Sequence, residues 1–502
     1  MTFPWLTLLG LIPIIGALAL FLPVKAAARP LALMFSLVTL AAALGVLGLY
    51  LGGVNLTVQV PWIRTFGAWW ALGLDGMGLV MVLLTAALTP VVLLAEGKLT
   101  AASGAGPQAY HALVLLLEGL ALFVFMANDV LLFYLFFEAT LIPMYFLIGV
   151  YGGARRKYAA LKFLLFSLAG GLVMLASVIG LYVWSTRLGG TPTYLLADLA
   201  NLPLDRGMGR LLMLGFLIAF IVKAPMVPVH TWLPDAAENA TPGSSVLLVG
   251  ILDKIGTFGM IKFCLGLFPE ASRWVAPVMI ALALVSILYG AAAAVGSTNL
   301  LRLIAYTSIS HFGFMVLGIY MFTTQSMAGS IFYMVNHGFS TAALFLVVGM
   351  LVARRGSAGV YDFGGVQKVA PVLTGAFLLA GLSSLALPGM SSFVSEFLVL
   401  AGTWSAVPWI AAVAALGMVL SAVYILLAYQ RTMTGPVTEQ TAQHVTTDLS
   451  LVERAVMVPL ITALLVLGLV PGPVISIVEQ TAKATLTHVG ATDPVPAAKG
   501  EK

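Results

Sequence analysis

An all-α membrane bundle of about fourteen spanning helices is the architecture this chain predicts. Three observations lead there. Of its 502 residues 61% are apolar and 9% are charged, against roughly 25% charged in soluble domains, and the mean hydropathy is +1.06. Apolar runs of about 18–25 residues, the length that crosses a hydrocarbon core of roughly 30 Å, recur from end to end. The 51 Gly and 25 Pro match the enrichment of both residues in membrane helices, where neighbours satisfy the backbone groups that a break frees.

The first run, residues 4–23, lacks a basic stretch ahead of it and is long enough to span, so it reads as a helix rather than a cleavable signal. Runs at 30–51, 73–94 and 109–127 follow, then a fifth at 129–151 and a sixth at 159–184. The seventh, 208–230, carries Pro225 and Pro228 and should be interrupted. The eighth, 243–267, holds Lys254 at its midpoint; 273–295, 299–322 and 326–353 come next. The twelfth, 370–403, is overlong and contains Pro388-Gly389, which predicts a second interruption; 407–430 and 452–476 complete the set. Residues 481–502, rich in Ala, Pro and Lys, read as a disordered tail.

Lys and Arg are biased toward the odd-numbered loops. Eleven fall there, including Lys25, Lys98, Arg155, Arg302 and Arg431, against five on the even side, so the odd loops are expected in the cytoplasm and both termini outside. The net charge of +5 is therefore loop bias; the basic residues are dispersed, which does not fit a nucleic-acid footprint. One cysteine, Cys264, leaves nothing for a disulfide, a thiolate cluster or a zinc site. No phosphate loop or dinucleotide fingerprint is present, which argues against ATP-driven transport by this chain alone.

Charged residues inside the runs carry the functional reading. A charge at the centre of a membrane helix costs roughly 2.5–3.5 kcal/mol on insertion scales, so it needs a use. Glu138, Lys223, Lys254, Glu396 and, more ambiguously, Glu118 sit there, joined by His311 and His337 with hydroxyls at Ser308, Ser310 and Ser340. Desolvation raises a carboxylate's pKa and lowers a lysine's, toward the range where protons exchange, so such a set is a candidate proton relay. Structural ion pairs are the competing account; five charges and two histidines in one bundle weigh against it. Lys162 and Lys262 lie near helix ends and are expected to snorkel. Asp253 points to another face than Lys254 and need not be its partner. Glu138 precedes Lys223 by 85 residues and His311 precedes Glu396 by 85, which hints at two equivalent five-helix repeats.

The motifs FFEATLIPMYFLIGVYGG (136–153), KAPMVPVHTWLPDA (223–236), AYTSISHFGF, MVNHGFSTAALF and LALPGMSSFVSEFLVL (385–400) resemble the antiporter-like membrane subunits of respiratory complex I, NADH:quinone oxidoreductase. The likeness spans nearly the whole chain. It implies fourteen helices, two inverted five-helix repeats and broken helices seven and twelve. The expected division is residues 1–108 for helices 1–3, 109–267 and 268–430 for the repeats, 431–480 for a loop and helix 14, and 481–502 for the tail. It further implies that Glu138 pairs with Lys223, that Lys254 is the central lysine, that His311 and His337 belong to a polar axis, and that Glu396 is the terminal acid. Glutamate rather than lysine in FVSEF favours the M branch of the family.

Function as a proton-translocating subunit of a bacterial inner-membrane enzyme follows from the resemblance. It places no cofactor or metal in this chain; FMN, iron–sulfur clusters and quinone belong to partner subunits. Other membrane subunits, above all neighbouring antiporter-like ones, and the lipid bilayer are the expected partners, and nucleic acid is not. Subunits of multisubunit sodium/proton antiporters and membrane hydrogenases share the fold and are the alternative.

Overall fold

The computed structural model describes residues 3–22, 27–96, 106–187 and 192–494; Lys25 and Lys98 lie outside them. Helices α1 (Trp5–Ala19) and α2 (Ala28–Leu51) pack on α4 (Pro107–Met126). Between α2 and α3 (Gly76–Ala95) the chain departs from an all-α expectation: β1 (Val58–Ile63) and β2 (Ala68–Leu72) form an antiparallel hairpin with Val58 opposite Leu72. Its turn ends at Gly67, φ 66°, where a Cβ would fall 1.9 Å from the Pro192 carbonyl oxygen, so no other residue fits.

Asp129 caps α5 (Val130–Ala139) through the Leu132 N–H at 2.9 Å, and its second oxygen accepts the Trp69 N–H at 2.9 Å, tying the hairpin to α5. The fifth run is interrupted at Thr140 before α6 (Leu141–Tyr151), because Pro143 has no N–H to offer the Ala139 carbonyl. After α7 (Arg156–Arg187) and the single turn α8 (Leu196–Leu199), α9 (Arg206–Lys223) stops two residues short of Pro225. Helix resumes at α10 (Trp232–Asn239), and the buried Trp232 indole N–H donates to the Val222 carbonyl at 3.0 Å, satisfying a group the break exposes.

The eighth run is helical throughout but not uniformly α. It comprises α11 (Pro242–Ser245), a wide π segment (Val246–Leu252), α12 (Lys254–Gly259) and a second π segment (Met260–Leu265). Wide turns of this kind recur at functional sites. Then follow α13 (Pro269–Val295), α14 (Leu300–Tyr320), α15 (Thr324–Arg355), α16 (Pro371–Ser384), α17 (Ser391–Ala406) and α18 (Pro408–Met433). The gap between α16 and α17 holds Pro388 and Gly389, the latter at φ 92°. The chain ends in α19 (Glu439–His444), α20 (Leu451–Leu469) and α21 (Gly472–Val489).

Among the described residues, ten helical runs are long and apolar enough to cross a membrane, with α1 and α16 as shorter apolar helices. The chain is thus a multi-span, mostly helical membrane protein. Helices α14 and α15 are buried on nearly every side, whereas α2 exposes Leu37, Val38 and Leu44 and α18 exposes Leu416, Val419 and Leu426, as a lipid-facing side should. Two expectations need correction. The last apolar run ends at Leu469, not at 476, because Pro471 stops it. The tail expected to be disordered from 481 is helical to Val489, with Val478, Ala482, Leu486 and Val489 buried along one stripe; residues 495–502 lie outside the described residues.

Candidate functional site

The broken and π-widened helices surround a set of buried polar groups. Lys254, at the start of α12, donates from Nζ to the Val249 carbonyl of the preceding wide turn at 2.6 Å and meets His337 Nδ1 of α15 at 2.6 Å. When the amine is protonated, Nδ1 must accept and the imidazole proton sits on Nε2. The His337 and His311 rings stand edge to face with centroids 5.2 Å apart, and the Phe312 ring lies 5.1 Å from Lys254 Nζ.

From His311 the row continues toward α17. The Tyr424 hydroxyl lies 3.5 Å from His311 Nε2, and the Tyr333 ring centroid is 5.7 Å from that of His311. Tyr333 donates its hydroxyl to Glu396 Oε1. Lys254, His337, His311, Tyr333 and Glu396 are all buried, so this half of the set is one contiguous cluster drawn from α12, α14, α15 and α17. Tyr333 is the member that inspection of charges misses; its signal is its place four residues before His337, on the same helical face. Tyr424 gives no comparable signal.

The other half is looser. Lys223, the last residue of α9, is buried with no hydrogen-bond partner, and its Nζ stands 5.4 Å and 5.5 Å from the centres of the Phe137 and Phe163 rings. Half-buried Glu138 faces α7, where a Cβ on Gly171 would fall 1.6 Å from its Oε1. The expected Glu138–Lys223 pair is therefore not a contact ion pair. The two charges are near enough to act on each other, but phenylalanine rings flank the ammonium and the carboxylate is turned to the glycine.

Glu118 on α4 is buried with both oxygens unpartnered; nearby Thr89 donates instead to the Thr85 carbonyl. No hydrogen bond joins Glu118 to the row. Lys162 has a partner near its helix end. It pairs with Asp235 at 2.7 Å, and Asp235 also takes Arg302 at 2.8 Å, with Glu238 on the same guanidinium at 2.9 Å. Lys262 lies with Asp75, Asn128 and His488 around a cavity of about 770 Å³. Among the described residues no group of His, Cys, Asp and Glu is arranged to hold a metal ion.

A multi-span helical bundle with interrupted helices and a buried row of acids, lysines and histidines has the makings of an ion-translocating membrane protein. Residues 127–421 match the family described as NADH:quinone oxidoreductase/Mrp antiporter, TM, and the chain belongs to that family. A NADH-quinone oxidoreductase subunit M of Mycobacterium tuberculosis (strain ATCC 25618 / H37Rv) is 46% identical across 98% of this chain and 96% of its own. That of Pseudomonas aeruginosa PAO1 is 38% identical, covering 87% and 86%. Among solved structures, a chain of respiratory complex I from Thermus thermophilus with bound NADH superposes with a TM-score of 0.87 at 32% identity, over 97% of this chain and 100% of that one. A chain of the Mrp complex from Dietzia sp. DQ12-45-1b gives 0.85 at 22% identity, over 98% and 99%, a likeness of fold alone.

Proposed function

We propose that this chain is a proton-translocating membrane subunit of a bacterial NADH:quinone oxidoreductase, driven by redox chemistry in partner subunits and holding no redox centre of its own. The observation that carries the reading is the run of buried groups from Lys254 through His337 and His311 to Tyr333 and Glu396. An amine against an imidazole at 2.6 Å can donate or accept according to which of them holds the proton, so occupancy at one end biases the next member. Glu138 acts here as the charge that tunes Lys223, Lys223 and Lys254 as proton carriers, the histidines as relays and Glu396 as the terminal acid. Fourteen spans in two inverted five-helix repeats, with both termini on the outer side, complete the proposal; the 85-residue spacing of Glu138–Lys223 and of His311–Glu396 and the bias of Lys and Arg between loops support it.

The test uses the assembled enzyme in vesicles. Lys223→Ala and Lys254→Ala should abolish or strongly lower proton pumping per NADH oxidised; undiminished pumping in both overturns the assignment. Copurification addresses the sodium/proton antiporter alternative. Flavin and iron–sulfur subunits should accompany the chain through mild detergent extraction, and their consistent absence would favour a stand-alone antiporter.

A further inference from the structure

Asp253 is the one fully buried acid of the central span that the row above does not use. Both of its carboxylate oxygens lack a hydrogen-bond partner. Its backbone N–H bonds to the Leu248 carbonyl at 3.0 Å, the five-residue reach of a π turn, so the wide segment sets which way this side chain leaves the helix. Three residues on, Gly256 brings α12 into backbone contact with the end of α9: a Cβ there would fall 2.5 Å from the Ala224 nitrogen and 2.6 Å from the Phe220 carbonyl oxygen. Residues i and i+3 share a face, so the Asp253 side of α12 is the side pressed against the helix end that carries Lys223. Lys254, about 100° further round, is committed to His337. The cations whose charge reaches Asp253 are Lys254 and Lys223, and Lys223 is itself unpartnered.

From this placement we propose that Asp253 is the carrier that links Lys223 to Lys254, joining the loose half of the row to the contiguous half. This rests on the proton-translocating reading above. The Lys223 ammonium loses its proton to the Asp253 carboxylate; the resulting acid then gives a proton to the neutral Lys254 amine, and Asp253 returns to carboxylate. In the middle state all three groups are neutral, which avoids holding two like charges in a low-dielectric interior. No ion pair within 4.0 Å joins Asp253 to Lys223 or to Lys254, so each transfer needs a rotamer change of the lysine or a bridging water.

Asp253→Asn and Asp253→Glu, each in the assembled enzyme in vesicles, test this against Lys223→Ala. Asp253→Asn should lower pumping per NADH by about fivefold or more, the scale of coupling between linked sites, and Asp253→Glu should restore most of it. A carboxylic-acid infrared band that appears on NADH addition and is lost in Asp253→Asn should persist in Lys254→Gln, where the acid has no amine to pass its proton to; a purely structural aspartate would give no NADH-dependent band. Normal pumping by Asp253→Asn with Lys223→Ala inactive overturns the inference and leaves the function standing, as does a spectrum with no NADH-dependent band that Asp253→Asn removes. Normal pumping by both variants overturns the inference, and the function falls with it if Lys254→Ala also pumps normally.

Discussion

Glu396 Oε1 accepts from the Tyr333 hydroxyl, while Oε2 has no partner in its buried site. Tyr333→Phe keeps the ring and deletes the hydroxyl donor. Leaving a buried carboxyl with that bond unmade costs about 1–3 kcal/mol, so the enzyme carrying it should melt lower in detergent and pump more slowly than wild type in vesicles. Unchanged pumping would separate Tyr333 from the path. At the other end, Gly171 is defined by what it leaves room for. Since a Cβ there would sit 1.6 Å from Glu138 Oε1, Gly171→Ala must displace the carboxylate, and its pumping rate should fall toward that of Glu138→Gln while subunit composition on a native gel stays normal. The charged members of the row were legible in the sequence because ionised groups stand out in apolar helices. Their partners were not: whether Lys223 meets Glu138 or two phenylalanine rings depends on rotamers and on the helix break, which spacing does not encode.

The element that shows how helix ends are secured is α16. Its first backbone N–H groups, those of Val372 and Leu373, donate to Asp448 at 2.8 and 2.9 Å, and the Leu449 N–H adds a third bond at 2.7 Å. Partial burial alone would raise this aspartate's pKa, but the three donors and the Arg454 charge outweigh it and hold the group below the usual carboxylate range. A folded-state pKa below the unfolded value of about 3.9 means the stabilisation is fully present above that pH and disappears as pH falls through the folded value. Asp448→Asn should therefore speed hydrogen exchange at the start of α16 at neutral pH, and wild type and variant should converge only in acid. If the two differ equally at all pH values, the carboxylate charge is not what holds the helix end. Counting apolar runs found the spans that face lipid, since continuous hydrophobicity is what lipid demands. It missed the β1–β2 hairpin, which the Asp129 bond to Trp69 holds, and it missed α21, where composition hid a stripe of Val478, Ala482, Leu486 and Val489 at helical spacing.

Across the whole molecule, the row lies among the most enclosed helices, α14 and α15, with Lys223 on a helix end and Glu396 just past a second break. The cluster of Lys162, Asp235, Arg302 and Glu238 clamps α7, α10 and α14 together, so the two halves of the row share a frame. A single path and two independent ones then make different predictions. On the proposed single path, Glu138 and Glu396 act in series, and once one step limits transport a second block adds little. The Glu138→Gln/Glu396→Gln double variant should pump about as slowly as the worse single variant. Two parallel paths would instead each retain a share of the pumping in the singles and lose both shares in the double. Residues this far apart normally combine additively in free energy unless one network joins them. Comparing the four pumping rates, each per NADH oxidised, therefore measures whether the row works as one conductor; a double variant distinctly slower than either single would rule that out.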